Sequence, residues 1–155
     1  MKLNPEIEEA LVKIDFVKRY EELSGLYSDK RTPDSKRLEY VDGEEVMDII
    51  HNLGYTPCFD KREKFFYIKK EKIGDFIFGV NIKLQYGAAE LVWVVRKTGE
   101  VLLGSPWSTY SKRMINHEYK IKDPVFSSYE DLEEIFQITF QMYEDFKKAL
   151  IEKRD

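Results

Sequence analysis

The clearest pattern in the chain runs from Phe76 to Tyr86. There Phe76, Phe78, Val80, Ile82, Leu84 and Tyr86 alternate with Ile77, Gly79, Asn81, Lys83 and Gln85. A period of two, apolar on one face and mostly polar on the other, is that of an antiparallel strand with one face on a core. Upstream, Phe65 to Lys70 reads as a short strand, joined to it by a turn at Lys72-Ile73-Gly74-Asp75. Downstream, Gly87 begins a turn. Leu91-Val92-Trp93-Val94-Val95 is apolar at every position, which predicts a central strand covered on both faces, with Trp93 in the core. Lys97-Thr98-Gly99-Glu100 reads as a hairpin turn into Val101-Leu102-Leu103, and Gly104-Ser105-Pro106 ends the run.

Helical spacing brackets these strands. Ile7, Ala10, Leu11, Ile14 and Val17 share a face that Phe16, Tyr20 and Leu23 widen, which predicts a single helix. Asn4 caps it, Pro5 fits its first position, and Gly25 stops it. Residues 28–41 are rich in turn formers and predict a loop. Asp42 and Glu45 open a second helix striped by Val46, Ile49, Ile50 and Leu53 and ended by Gly54. Ser108 can cap a short helix through Asn116, and Tyr119 to Val125 reads as extended, with Pro124 limiting it to an edge. Ser127 with Glu130, or Ser128 with Asp131, opens a long last helix striped by Leu132, Ile135, Phe136, Thr139, Met142, Tyr143, Phe146 and Leu150. The expected fold is a single α+β domain over residues 1–155: two N-terminal helices, an antiparallel meander of four or five strands, and a long C-terminal helix.

A hydrophobic fraction of 43% and an aromatic fraction of 14% exclude disorder of the chain as a whole. Cys58 is the only cysteine, so no intramolecular disulfide forms, and a reducing cytoplasm is the expected compartment. No apolar run has the length of a signal peptide or a membrane span, so no membrane association is expected. The net charge of −4 is unevenly spread: residues 1–29 carry −3, residues 30–127 carry +3 and residues 128–155 carry −4. That balance argues against a general nucleic-acid binder and leaves room for a local basic patch. One stretch, Asp60 to Lys72, mixes lysines and arginine with Phe65, Phe66 and Tyr67. Single-strand binders use that mixture, but the pattern favours an edge strand protected by lysines.

Catalytic and metal signals are missing from the sequence. His51, Cys58 and His117 do not have zinc-ligand spacing, and neither a calcium loop nor a glycine-rich phosphate loop occurs. Doublets such as Glu133-Glu134 point to different sides of a helix and make no acid–base pair. No catalytic set, cofactor or metal is therefore expected. Two groups remain as contact candidates. Trp107, Tyr110 and Arg113 are of the types that anchor interfaces. Glu130, Glu133, Glu134, Glu144 and Asp145, on the outer face of the last helix, could steer a basic partner.

In size, charge and helix–sheet–helix order the chain resembles the small bacterial immunity proteins. That resemblance implies a non-enzymatic module that neutralises a cognate basic toxin by direct binding. A sheet closed by a C-terminal helix also resembles helix-grip domains, which implies a small-ligand carrier with Phe76, Phe78, Val80, Ile82, Leu84 and Tyr86 lining its pocket. An enzyme without a recognisable motif is the third reading.

Overall fold

Asn4 caps the first helix as its position predicts, its side chain accepting from the N–H of Glu6 at 2.9 Å. The computed structural model describes residues 3–152. The predicted first helix is in fact two, α1 (Pro5–Lys13) and α2 (Phe16–Leu26). Asp15 between them adopts the left-handed conformation with φ 55°, and turns the chain. The apolar stripe passes unbroken through the turn, so Ile14 and Phe16 are both buried. Gly25 lies inside α2 instead of ending it. The predicted second helix is α3 (Gly43–Asn52), capped by Asp42 through Glu44 N–H.

Six antiparallel strands follow: β1 (Pro57–Asp60), β2 (Phe65–Ile68), β3 (Glu71–Ile73), β4 (Phe76–Gln85), β5 (Ala88–Lys97) and β6 (Glu100–Leu103). The sheet order is β1-β2-β4-β5-β6, with β3 beside the start of β4. β4 and β5 pair along ten residues, from Phe76↔Lys97 to Gln85↔Ala88. The turns that join β4 to β5 and β5 to β6, Tyr86-Gly87 and Thr98-Gly99, each have two positive φ angles, the type I′ form that matches strand twist. At Gly87 a side chain is excluded twice over, by φ +75° and by Arg37 Cβ 2.5 Å from where a Cβ would stand.

Two short elements complete the fold. α4 (Trp107–Met114) has Pro106 at its N-cap, two residues earlier than the predicted Ser108 cap. A strap then runs back to the edge of β5, where Val125 pairs with Ala88. α5 (Tyr129–Glu152) closes the molecule. Its start is fixed by Ser128 Oγ accepting from Asp131 N–H, while Asp131 accepts from the N–H and hydroxyl of Ser127. No helix among the described residues is long and apolar enough to cross a membrane.

The helices cover one face of the sheet. Trp93 is the hub of that core: it stacks on Phe146 of α5 at 4.7 Å and meets Phe16 of α2 at 5.6 Å and Trp107 of α4 at 5.0 Å. Phe76, Phe78, Val80 and Ile82 are buried beneath the same helices, while Tyr86 is exposed. Packed side chains thus fill the space that a carrier of the helix-grip kind would leave for its ligand. Beyond the end of β6, Tyr110 Oη takes the place of a strand: it accepts from the N–H of Trp93 at 3.2 Å and donates to its carbonyl at 2.9 Å.

Contrary to the sequence expectation, β5 is covered on one face only. Ala89, Leu91, Trp93 and Val95 are buried, whereas Val92 and Val94 are half-buried on the side away from the helices. That second face of the sheet is open.

Candidate functional site: the open sheet face and the acidic end

Register fixes the make-up of the open face. Across it Tyr67 lies beside Asn81 and Asn81 beside Val92; the next row is Gly79 and Val94; the row after that is Ile77, Arg96 and Val101. Phe65, next to Asp60, completes the aromatic pair, its ring centroid 5.7 Å from that of Tyr67 at an angle of 50°. Gly79 supplies no side chain, and the stem of Lys70 lies over it, 3.7 Å from where a Cβ would be. The result is a half-open cleft of about 420 Å³ floored by Gly79 and walled by Phe65, Tyr67, Asn81, Val94 and Arg96. Lys70, Lys83 and Arg96 are exposed here and join none of the ion pairs among the described residues. Asp60 is turned inward on its own loop, accepting from the N–H groups of Arg62 and Glu63.

β2 is not the lysine-guarded edge that the sequence favours. β1 pairs with it on one side and β4 on the other. Its cations and aromatics therefore sit on a continuous surface.

A second surface lies at the opposite kind of charge. The N–H of Asp42 donates to Tyr129 Oη at 2.7 Å, which brings the starts of α3 and α5 together. Glu44, Glu45, Glu130 and Glu133 are exposed at this end, and Tyr40 beside them is 87% exposed. Tyr40 sits in a segment without period, and its only signal in the sequence is an aromatic that follows Glu39 and stands two residues before Asp42.

The predicted contact residues divide. Trp107 and Tyr110 are 1% and 0% exposed, so the expectation that they anchor a partner is corrected: both belong to the core around Phe16 and Trp93. Arg113 is exposed on the outer side of α4. Of the carboxylates, Glu130 and Glu133 are exposed as expected. The other three are engaged within the molecule. Glu134 accepts from Tyr27 Oη, which burial and that carboxylate together push up to about 12. Asp145 pairs with Arg19 at 2.9 Å. Glu144 accepts from Tyr55 Oη and pairs with Lys147 at 2.9 Å.

Lys147 is the centre of a polar cluster between α5 and β3. Its side chain is 7% exposed and also bonds Glu71 at 2.9 Å, which accepts from Tyr143 Oη. Burial, then the neighbouring carboxylates, holds the hydroxyls of Tyr143 and Tyr55 well above the usual tyrosine range. Every polar group in the cluster has a partner, so it reads as a structural tie.

A half-buried acid holds the strap. Asp123 accepts from Tyr20 Oη at 2.9 Å, and burial pushes its carboxyl up to about 6, helped by the charge of Glu90. Because the folded value lies above that of the unfolded chain, ionising Asp123 weakens the fold as pH rises from about 4 to about 6. The penalty above that window is about 2 kcal/mol, allowing for partial exposure. Asp123→Asn is therefore expected to be more stable than the wild type at pH 7 by roughly that amount, with the gap closing by about pH 4. Urea midpoints across this range check it; a gap independent of pH would mean that Asp123 ionises normally.

No protein-family model matches the chain, and comparison with the curated proteins and with the solved structures found no match. Among the described residues no group of histidine, cysteine and carboxylate side chains could hold a metal ion.

Proposed function

We propose that the protein is a non-enzymatic module that binds another protein, in the manner of an immunity protein that neutralises a toxin by direct contact. The observation that carries this reading is Tyr40, almost fully exposed at the end of the molecule where carboxylates of α3 and α5 converge. Large exposed aromatics are costly to leave in water and are typical anchors of interfaces. Glu44, Glu45, Glu130 and Glu133 around it give the surface a negative field, which selects a basic partner and speeds its approach. Because Trp107 and Tyr110 are buried, the anchor proposed here lies at this end instead of on α4.

The test uses the product of the gene adjoining this one as the partner. Co-expression and gel filtration should give a stable complex. Tyr40→Ala should weaken it by about 2 kcal/mol, chiefly through faster dissociation, without altering the circular dichroism. Glu130→Gln combined with Glu133→Gln should slow association and flatten its salt dependence. Both variants binding as the wild type does would remove this surface from the reading.

A further inference from the structure

We infer that the open face of the sheet is a binding site for single-stranded nucleic acid, separate from the acidic end. Three observations converge on it. The first is chemical: Phe65 and Tyr67 lie side by side on the uncovered face, half-buried, and both line its cleft. Base stacking on such rings is favourable for any base, because each base has a π face. The 50° between the rings gives each its own base instead of one flat platform.

The second is electrostatic. Lys70, Lys83 and Arg96 ring the aromatics and join none of the ion pairs among the described residues, and the loop from Asp60 to β2 adds Lys61, Arg62 and Lys64 against one carboxylate, Glu63. Two carboxylates lie on the face itself: Asp60, whose Oδ1 accepts from two backbone N–H groups, and Glu90, opposite Lys83. The acidic excess lies in residues 1–29 and 128–155, whereas residues 30–127, which include every strand, carry +3. Phosphates can follow the cations while bases turn inward.

The third is shape. Gly79 adds no side chain to the floor of the cleft, where only the stem of Lys70 lies over it, and Asn81 beside Tyr67 offers an amide with both donors and acceptors to a base edge. An acidic peptide would satisfy the cations but would give the paired rings no matching surface. That difference decides the occupant.

Fluorescence anisotropy with labelled U and dT oligonucleotides of about 12 residues tests the inference, that length being within the range of known single-strand sites. The full-length protein should bind with a Kd of about 10 µM at low salt, and affinity should fall steeply between about 50 and 200 mM salt. Tyr67→Ala should weaken binding about tenfold and Tyr67→Phe should leave it nearly unchanged. Arg96→Gln and Lys83→Gln, both at exposed positions that cannot threaten the fold, should weaken binding and reduce the salt slope. A poly-glutamate peptide of the same length should bind far less well and be indifferent to Tyr67→Ala. The inference is overturned if neither oligonucleotide binds below about 100 µM, the weak end of non-specific affinities. It is equally overturned if the peptide binds as tightly as the oligonucleotides, or if the Tyr67 and Arg96 variants bind like the wild type. Glu130→Gln with Glu133→Gln should leave oligonucleotide binding unimpaired, so this result and that for the protein partner stand apart.

Discussion

Replacing Trp93 by alanine is expected to cost about 3–5 kcal/mol, the range for large aromatics removed from cores. Trp93 is 1% exposed and touches four aromatic residues from three helices: Phe16, Trp107, Tyr143 and Phe146. Its loss would leave a cavity on which α2, α4 and α5 all border, and none of these helices can close it without losing its own contacts. Guanidinium unfolding followed by fluorescence of the remaining Trp107 measures the effect. A midpoint unchanged from the wild type would mean that α5 does not pack on β5 as described.

The Lys147 cluster should give an effect of similar size. Neutralising both of its partners, as in Glu71→Gln with Glu144→Gln, strands a buried ammonium beside the ring of Tyr143, 4.4 Å away. Removing the partners of a buried charge costs about 3–5 kcal/mol, because its desolvation is no longer offset. Tyr143 and Tyr55 would still find acceptors in the glutamine oxygens, so the charge is the variable changed. Adding Lys147→Met to the pair should restore most of the loss, since an apolar chain of like length fills the site without desolvating a charge. Thermal denaturation of the double and triple variants decides it. If the triple variant is no more stable than the double, the cluster acts through packing instead.

Much of this architecture can be read from local pattern, and its limits are instructive. The alternation from Phe76 to Tyr86 gives β4 and its buried face directly, because a half-covered strand writes its environment into every second residue. The break at Asp15 is invisible to the same method: the stripe through Ile14, Phe16 and Val17 continues across it, and a left-handed residue leaves no apolar signature. β1 escapes notice because Pro57 and Asp60 are poor strand formers, and its pairing with β2 compensates from elsewhere in the chain. Trp107 and Tyr110 were assigned to a surface on residue type, which core and interface share; only burial separates the two. The candidate nucleic-acid face could be half seen. The run from Asp60 to Lys72 shows its cations and rings, but Asn81 and Arg96 join them only through the pairing of β2, β4 and β5.

The hydroxyl that Tyr110 sets against Trp93 has a consequence for how molecules of this protein meet one another. β6 stops short, and a long central strand would otherwise show a stretch of unpaired amide and carbonyl to its neighbours. Such a stretch invites a strand from a second molecule and, with repetition, a fibre. One phenol oxygen satisfies both groups at Trp93, while Pro106 and Val125 pair at Val92 and Ala88 on the same strand. Protection against aggregation along β5 therefore depends on a helix of eight residues staying docked. Conditions that release α4 should bare this stretch of β5 well before the rest of the domain unfolds.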